Sequence, residues 1–299
     1  MDQDEPTCRR LLANGANVNE KMVLEVTVLH IACVLVPPNE KLLEILLVRG
    51  ADVDAENVQE MTPFQVACKE RSFGNARLLL KYGSNIDRTN RNGDTSLHDG
   101  VRCNNKHAVE FLCANNANVN SVNVAADTPL TIAAGRGDAV MVRTLIAHGA
   151  DINYIHPGAA RNSVLLLAVT SGVEEVVGRL IEHHVDVLYQ NRNLENALFL
   201  ACRLNHAAVV RILCTDMVGV DMDMRQSNAD GLTALMIAAK HNAPDAARVL
   251  LDFGCCDLWM KSTSEHNPVT AYQLAEQSGH TAVAELIDTY VNPPTTRLY

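Results

Sequence analysis

Three neighbouring side chains, Ser96, His98 and Asp99, have the residue types of a nucleophile, a base and an orienting acid. A hydrolase brings these groups together for nucleophilic catalysis. All three, however, lie in one short phrase, TSLHDG, which opens an apolar helical pattern, and a related phrase carries His30 at the corresponding position. A histidine at such a place is typical of a structural, hydrogen-bonded side chain. We therefore predict no catalytic residue.

The metal-binding and cofactor-binding patterns are missing from the sequence or incomplete. Neither zinc signature, Cys-x-x-Cys or His-Glu-x-x-His, occurs. Asp52, Asp54 and Glu56 begin like a calcium loop, but Asn57 stands where that loop needs glycine and Pro63 where it needs glutamate. The chain also has no phosphate loop and no dinucleotide fingerprint. We predict no metal, no cofactor and no enzyme activity.

The tripeptide Arg136-Gly137-Asp138 matches a cell-adhesion signal, which would be displayed to a receptor. It lies between two apolar helical segments, at a place where another stretch of the chain has Asn104-Asn105. Glycine adopts the left-handed backbone that ends a helix, and aspartate favours the beginning of the next one. We therefore interpret the tripeptide as a turn between two helices.

The elements that hold these residues recur along the chain. A phrase of the type TPLTIA begins near residues 27, 62, 95, 128, 163, 196, 233 and 270. A second phrase, of the type GADVD, occurs at 50–54, 83–87, 116–120 and 149–153. A period near 33 residues is typical of stacked helical repeats. In the fourth copy, Thr128 can cap a helix whose first residue is Pro129, and a second helix is predicted over 138–147.

These two phrases resemble the ankyrin repeat, and the resemblance covers residues from about 7 to 291. It implies an all-α fold, an ankyrin-repeat solenoid of stacked helix-turn-helix units with hairpin-like finger loops. It also implies that His30 and His98 hold the turn by hydrogen bonds. We expect a single domain over 1–299, with eight repeats at the starts given above and a C-terminal cap over about 270–291.

The chain departs from the repeat pattern at its beginning and in four connections. Residues 7–19 match only the second half of a repeat, so we expect a monomeric array within a longer protein. Extra residues occur at Pro37-Pro38, 155–162, 221–230 and 259–267. Long connections in a compact array are candidate recognition elements.

The amino-acid composition limits the classes of partner and the cellular location that we expect. With 35 acidic and 25 basic residues, the formal charge of −10 disfavours binding of nucleic acid or an anionic membrane over the whole surface. No segment approaches the roughly 18 apolar residues of a membrane span, so no membrane insertion is expected. Cys33, Cys68 and Cys202 each follow an alanine in an apolar helical pattern, as reduced core thiols do. We predict an intracellular protein, cytoplasmic or alternatively nuclear.

Ankyrin domains typically bind partners in the groove formed by their fingers and first helices, so the resemblance directs attention to those positions. Cations follow the small core residues of several first helices and recur in the fingers, and one aromatic residue opens the finger in three repeats. Arginine and aromatic side chains often dominate the energy of an interface. The predicted partner-binding residues are Lys69, Arg91, Arg102, Arg136, Tyr154, Tyr189, Arg192, Arg203, Lys240 and Trp259.

Two interpretations of these residues stay open. The cations form a basic groove for an acidic or phosphorylated segment, or they are solvated charges compensated by acids in the fingers. The aromatic residues are anchors for a partner, or they pack between adjacent fingers. The finger acids are Asp94, Asp127, Glu195 and Asp230.

The preferred function is a non-catalytic scaffold or adaptor that binds a peptide or a partner domain in its concave groove, with repeats four to seven as the contact region. A second hypothesis is a targeting or inhibitory domain of a larger enzyme or channel. A third, sensing of nucleic acid or a phosphorylated small molecule, is disfavoured by the acidic composition.

Overall fold

The computed structural model describes residues 4–35, 38–216, 231–254, 256–262 and 268–292. These residues form α-helices and one short 3-10 helix, Val23–Glu25, and contain no β-strand beyond an isolated bridge between Ile155 and Ser163. The predicted all-α array of helix-turn-helix units is confirmed. The helices are α1 Asp4–Ala13, α2 Val28–Val34, α3 Glu40–Val48, α4 Pro63–Lys69, α5 Phe73–Lys81, α6 Ser96–Arg102, α7 Lys106–Ala114, α8 Pro129–Arg136, α9 Ala139–Ala147, α10 Val164–Ser171, α11 Glu174–Glu182, α12 Ala197–Arg203, α13 Ala207–Asp216, α14 Ala234–Lys240, α15 Pro244–Asp252, α16 Ala271–Gln277 and α17 Thr281–Val291.

Each repeat contributes a first helix that begins after a hydroxyl or amide side chain. Thr128 Oγ1 accepts a hydrogen bond from the backbone N–H of Thr131 at 3.2 Å, and Pro129 is the first residue of α8. Asn196 caps α12 in the same way, because its side chain accepts from Phe199 N at 2.9 Å. These bonds satisfy N–H groups that have no partner inside the helix. The predicted cap at Thr128 is confirmed.

From α4 onward, a turn of two to three residues leads from the first helix of a repeat to the second, whereas five residues separate α2 from α3. Gly137 has a φ of 72°, the left-handed conformation that glycine adopts without strain. Asp138 Oδ1 then accepts from Met141 N at 3.1 Å and so caps α9. The interpretation of Arg136-Gly137-Asp138 as a turn is therefore confirmed, and α9 begins one residue later than the predicted 138–147.

The chain divides into two compact units: Met1–Ala133 with Arg143–Ala150, and Ala134–Val142 with Asp151–Tyr299. In the first unit, α2, α4 and α6 pack in sequence as first helices, and α1, α3 and α5 pack as second helices. In the second unit, first helices α10, α12, α14 and α16 pack in sequence, as do second helices α11, α13, α15 and α17. The single domain over 1–299 stays a prediction.

The core of each unit is built from small and aliphatic side chains. Ala67 in the first unit and Ala201, Ala238 and Ala239 in the second are completely buried where neighbouring first helices meet. Alanine permits a close approach of two helices, and stacking buries the apolar face that one repeat cannot bury alone. Phe64 and Phe199 are among the largest fully buried side chains.

The finger loops are held by a recurring asparagine. Asn57 Oδ1 accepts from the backbone N–H groups of Gln59 and Met61 at 2.9 and 3.1 Å. Such a side chain replaces main-chain partners and fixes the turn. In four repeats an asparagine lies five residues before the helix cap and makes this kind of bond: Asn57, Asn90, Asn123 and Asn191.

Adjacent fingers are also joined by main-chain hydrogen bonds. Within the first unit, Val58 N donates to Leu24 O at 3.0 Å and Val124 N donates to Asn92 O at 3.0 Å. The longer connection 155–162 lies in the second unit, where His156 N donates to Asn162 O at 2.9 Å. Of the other long connections, residues 36–37, 217–230 and 263–267 lie outside the described part of the chain.

Among the described residues, no helix combines the length and the apolar character that crossing a membrane requires.

Candidate partner-binding surface

Arg102, at the end of α6 in the first unit, is held by a buried carboxylate. Its guanidinium donates to both oxygens of Asp94, at 2.6 and 3.2 Å. The Asp94 side chain is 3% exposed and also accepts from Asn123 Nδ2 at 2.7 Å. Burial raises the pKa of Asp94, but the hydrogen bonds from Arg102 and Asn123 outweigh it, so the pKa lies below its usual range. The cation predicted for partner binding is thus neutralised within its own repeat.

Arg203, at the end of α12 in the second unit, repeats this geometry. Its Nε lies 3.0 Å from Glu195 Oε1, and the Glu195 side chain is 14% exposed. In both repeats the acid directly precedes the cap residue and the arginine follows the acid by eight residues. That spacing is visible in the sequence, and it spans the first helix from one end to the other.

The histidines of the repeated phrase have a structural role. His98 Nε2 lies 3.1 Å from Asp127 O, and its Nδ1 accepts from Thr95 N at 3.2 Å. His30 Nε2 lies 3.0 Å from Met61 O. Because both nitrogens of His98 are engaged with backbone groups, its imidazole is not a base for the neighbouring Ser96. The predicted role in holding the turn is confirmed for both histidines.

Lys69 and Arg91 are the remaining predicted cations of the first unit. Lys69 is exposed at the end of α4 and lines a small cavity together with Asp99 of α6. Arg91 lies in a finger, where its Nη2 donates to Val58 O of the preceding finger. Asp99 is partly buried, and burial together with the charge of Asp94 raises its pKa. Arg91 is therefore bound to a carbonyl, and Lys69 lies near the carboxylate of Asp99.

Arg136 and Arg192 differ from the other arginines. Both belong to the second unit and both are exposed, at the end of α8 and at a finger tip. Arg192 N donates to Ala160 O at 3.0 Å, which holds the backbone of the finger tip in place. Within the described ranges, neither guanidinium forms an ion pair or a hydrogen bond. Lys240 is also exposed, at the end of α14.

The three predicted aromatic residues have different environments. Tyr189 is half-buried, and its hydroxyl donates to Arg161 O at 2.6 Å. Tyr154 is also half-buried, and its carbonyl accepts from Val164 N at 3.3 Å. Trp259 is 72% exposed, the largest apolar surface of the three. The hydrogen bond of Tyr189 joins it to the adjacent finger, as the interpretation of these aromatic residues as inter-finger contacts predicts. Trp259, by contrast, is open to solvent.

The carboxylates of the incomplete calcium pattern accept hydrogen bonds from other groups of the protein. Asp52 Oδ1 accepts from Asp54 N at 3.2 Å, and Asp54 Oδ1 accepts from Ser84 Oγ at 2.8 Å. In the part of the chain that the structure describes, no group of three or more histidine, cysteine or acidic side chains is arranged to hold a metal ion.

The family model described as "Ankyrin repeats (3 copies)" matches residues 1–90, 34–123, 130–226 and 217–296. The chain is also similar to solved structures: the ankyrin repeat domain of human ASB11, with a TM-score of 0.62, 23% identity and coverage of 78% of this chain and 100% of that one, and the ankyrin repeat domain of Bcl-3, with a TM-score of 0.63, 24% identity and coverage of 70% and 91%.

Three curated relatives show how much longer the similar proteins are. A probable E3 ubiquitin-protein ligase, XBOS34 of Oryza sativa subsp. japonica, is 30% identical over 39% of this chain and 23% of its own length. Ankyrin repeat and KH domain-containing protein mask-1 of Caenorhabditis elegans is 28% identical over 70% of this chain and 8% of its own. The NF-kappa-B p105 subunit of Gallus gallus is 26% identical over 72% and 22%. Each match spans less than a quarter of the relative.

Proposed function

Because this chain belongs to the ankyrin-repeat family, whose domains are generally protein–protein interaction modules, we propose that it is a non-catalytic scaffold or adaptor. It binds a peptide or a partner domain on the face formed by its fingers and the ends of its first helices. The buried thiols of Cys33, Cys68 and Cys202 support an intracellular, cytoplasmic location, since they are free and inert in the core.

The observation that supports the partner's chemistry is the contrast between paired and unpaired arginines in the second unit. Arg203 is paired with Glu195 at 3.0 Å, whereas Arg136 and Arg192 have no such partner among the residues that the structure describes. An exposed guanidinium presents a planar set of donors that suits carboxylates and phosphates. The proposed ligand is therefore an acidic or phosphorylated segment that contacts Arg136 and Arg192. In this proposal Arg203 has a structural role, through its pair with Glu195, and does not contact the ligand.

A capture experiment tests this assignment. Residues 1–299 are used to capture proteins from cytosolic lysate, in parallel with the double variant Arg136→Glu and Arg192→Glu. A matched control, Arg143→Glu with Arg211→Glu, makes the same change of charge at exposed positions on second helices α9 and α13. We expect partners that are lost only in the first variant. Loss after phosphatase treatment of the lysate identifies a phosphorylated ligand, and identical capture by all three proteins contradicts the assignment.

A second candidate function is the targeting or inhibitory arm of a larger enzyme. It is favoured by the relative named as a probable E3 ubiquitin-protein ligase, of which the matched part of this chain covers only 23%. The mass of the native protein distinguishes the two candidates. A mass well above that of 299 residues, with an enzyme domain in the additional sequence, supports the regulatory function, and a mass equal to it contradicts that function.

A further inference from the structure

A groove of about 590 Å³ lies at the C-terminal end of the second unit. One wall is the finger segment around Trp259, and the other walls come from α16 and α17. Tyr272 of α16 and Val291 of α17 contribute further apolar surface. The volume is that of a site for a small molecule or for a few residues of a peptide.

Two aromatic side chains line this groove, of which Trp259 is exposed and Tyr272 is half-buried. Trp259, the one tryptophan of the sequence, is 72% exposed and lines the groove. The ring of Tyr272 lines it as well, and its hydroxyl donates to Glu276 Oε1 at 2.9 Å. Tryptophan and tyrosine side chains are among the groups that most often anchor a partner, because they bury a large area with few rotatable bonds.

Among the described residues, one carboxylate and one cation line the groove, and a second carboxylate lies beside it. Asp288 lines it and Glu276 adjoins it through Tyr272, whereas Lys261 is the cation among the described lining residues. The hydrogen bond to Glu276, and after it burial and the charges of Glu276 and Asp288, raise the pKa of Tyr272. The electrostatic environment therefore favours a cationic ligand, the opposite of the environment at Arg136 and Arg192.

The walls of the groove are held in place by local hydrogen bonds. Trp259 N donates to Asp257 Oδ1 at 3.0 Å, and Ser262 N donates to Val269 O at 2.9 Å. Asn292 Nδ2 donates to Asp288 Oδ1 at 2.9 Å, which orients that carboxylate. Within the described residues, the second oxygen of Asp288 forms no hydrogen bond and is available to a donor. A site that is formed before binding loses less entropy when the ligand arrives.

We propose that this groove binds an extended, proline-containing segment of a partner protein that carries an arginine. A proline ring lies on the indole of Trp259, and the arginine donates to the free oxygen of Asp288. Proline-rich segments are extended before binding and dock on aromatic grooves, and arginine both donates to carboxylates and stacks on aromatic faces. The proposal rests on the proposed function as a partner-binding protein, but it uses a separate surface of opposite charge.

The test uses the complete chain and a synthetic peptide, PPPRPPPR, labelled for fluorescence anisotropy. The single tryptophan gives a second readout, because a proline ring on the indole moves its emission to shorter wavelength. We expect saturable binding with this emission shift, and at least tenfold weaker binding of the peptides PPPEPPPE and GSGRGSGR.

Two variants and one matched control locate the binding. Trp259→Ala and Asp288→Asn are each expected to weaken binding at least tenfold in anisotropy, with helicity by circular dichroism unchanged. Glu285→Gln removes a carboxylate from an exposed position of the same helix, α17, and leaves binding within twofold. Asp288→Asn keeps the size of the side chain, so its effect reports the charge.

Several results overturn the proposal. These are absence of saturable binding, equal binding of the glutamate peptide, and binding that both groove variants leave unchanged. Self-association of the chain that Trp259→Ala abolishes, without peptide binding, assigns the groove to a second copy instead. Each of these results leaves the capture experiment with Arg136 and Arg192 unaffected, so the failure of this inference is distinguishable from the failure of the proposed function.

Discussion

The arginines of this protein differ in the acidic groups that neutralise them, and in how deeply those groups are buried. Arg102 faces Asp94, whose side chain is 3% exposed, whereas Arg203 faces Glu195, whose side chain is 14% exposed. A carboxylate that is deprived of its cation costs more free energy when water cannot replace the lost bond. The two pairs therefore share a geometry and differ in their contribution to stability.

Arg102→Ala is expected to lower the free energy of unfolding by about 2 kcal/mol, because Asp94 stays buried with a single remaining hydrogen bond from Asn123. Arg203→Ala is expected to cost less, about 1 kcal/mol, because water reaches the carboxylate of Glu195 more readily than that of Asp94. Urea denaturation followed by circular dichroism measures both changes. A larger loss for Arg203→Ala would contradict the ranking by burial.

The two buried histidines predict a pH dependence of stability. Burial is the main cause that lowers the pKa of His30 and of His98 below the usual range. Each Nε2 faces a carbonyl and must donate, while Nδ1 accepts from a backbone N–H, so a second proton on the ring breaks a bond. The contribution of the two neutral histidines to the stability of the folded state is therefore complete above a pH of about 6.5, the pKa of unfolded histidine. It is lost as the pH falls below that value towards the lower pKa of the folded state.

The urea midpoint of the chain should therefore decrease between pH 7 and pH 5. A matched variant is suggested by Gln65, which holds the same position by accepting from Thr62 N at 2.8 Å and donating to Arg88 O at 2.9 Å without titrating. The double variant His30→Gln and His98→Gln is expected to lose less stability over this range. An equal decrease in both proteins would assign the pH dependence to other groups.

At the scale of the helix pair, the turn between α8 and α9 depends on Gly137. Its φ is 72°, and a Cβ at this position would lie 2.5 Å from Val173 Cγ2. Gly135, two residues earlier, has an ordinary helical backbone, and a Cβ there would meet no atom within 4 Å beyond its own helix and chain neighbours. The same substitution thus meets strain at one glycine and open space at the other.

Gly137→Ala is expected to lower the free energy of unfolding by about 1–2 kcal/mol from the left-handed backbone alone, and further through the overlap with Val173. Gly135→Ala is expected to raise it by about 0.5–1 kcal/mol, since alanine has the higher helix propensity. Thermal and urea unfolding give both signs. Equal effects of the two substitutions would show that the turn does not require its left-handed residue.

The helix pairs are the level at which the sequence is most informative. The cap at Thr128 and the turn at Gly137 follow from local chemistry that each repeat carries, so they are predictable one copy at a time. The pairing of Arg102 with Asp94 is also encoded in the sequence, as an eight-residue spacing across one helix. Counting the cations on one face of the array does not reveal this pairing, because the count ignores the acid that precedes each helix. The bond from Tyr189 to Arg161 is not predictable, because the connection 155–162 departs from the repeat length and shifts its partners.

At the scale of the whole molecule, a net charge of −10 coexists with two surfaces of opposite preference. Stacked repeats place the ends of the first helices and the fingers on one side, so a few unpaired side chains there determine the ligand. Arg136 and Arg192 favour an anion, and the groove around Trp259 favours a cation. Fold alone does not choose between partners, so we propose that these exposed groups do.

The central claim is that partners bind the side of the second unit that carries its fingers and the ends of its first helices. Hydrogen–deuterium exchange of the chain, alone and with a captured partner, tests it most directly. We predict slower exchange in the finger around Arg192 and in the turn after Arg136. Protection confined to the second helices α11, α13 and α15, with these two segments unchanged, would contradict the claim.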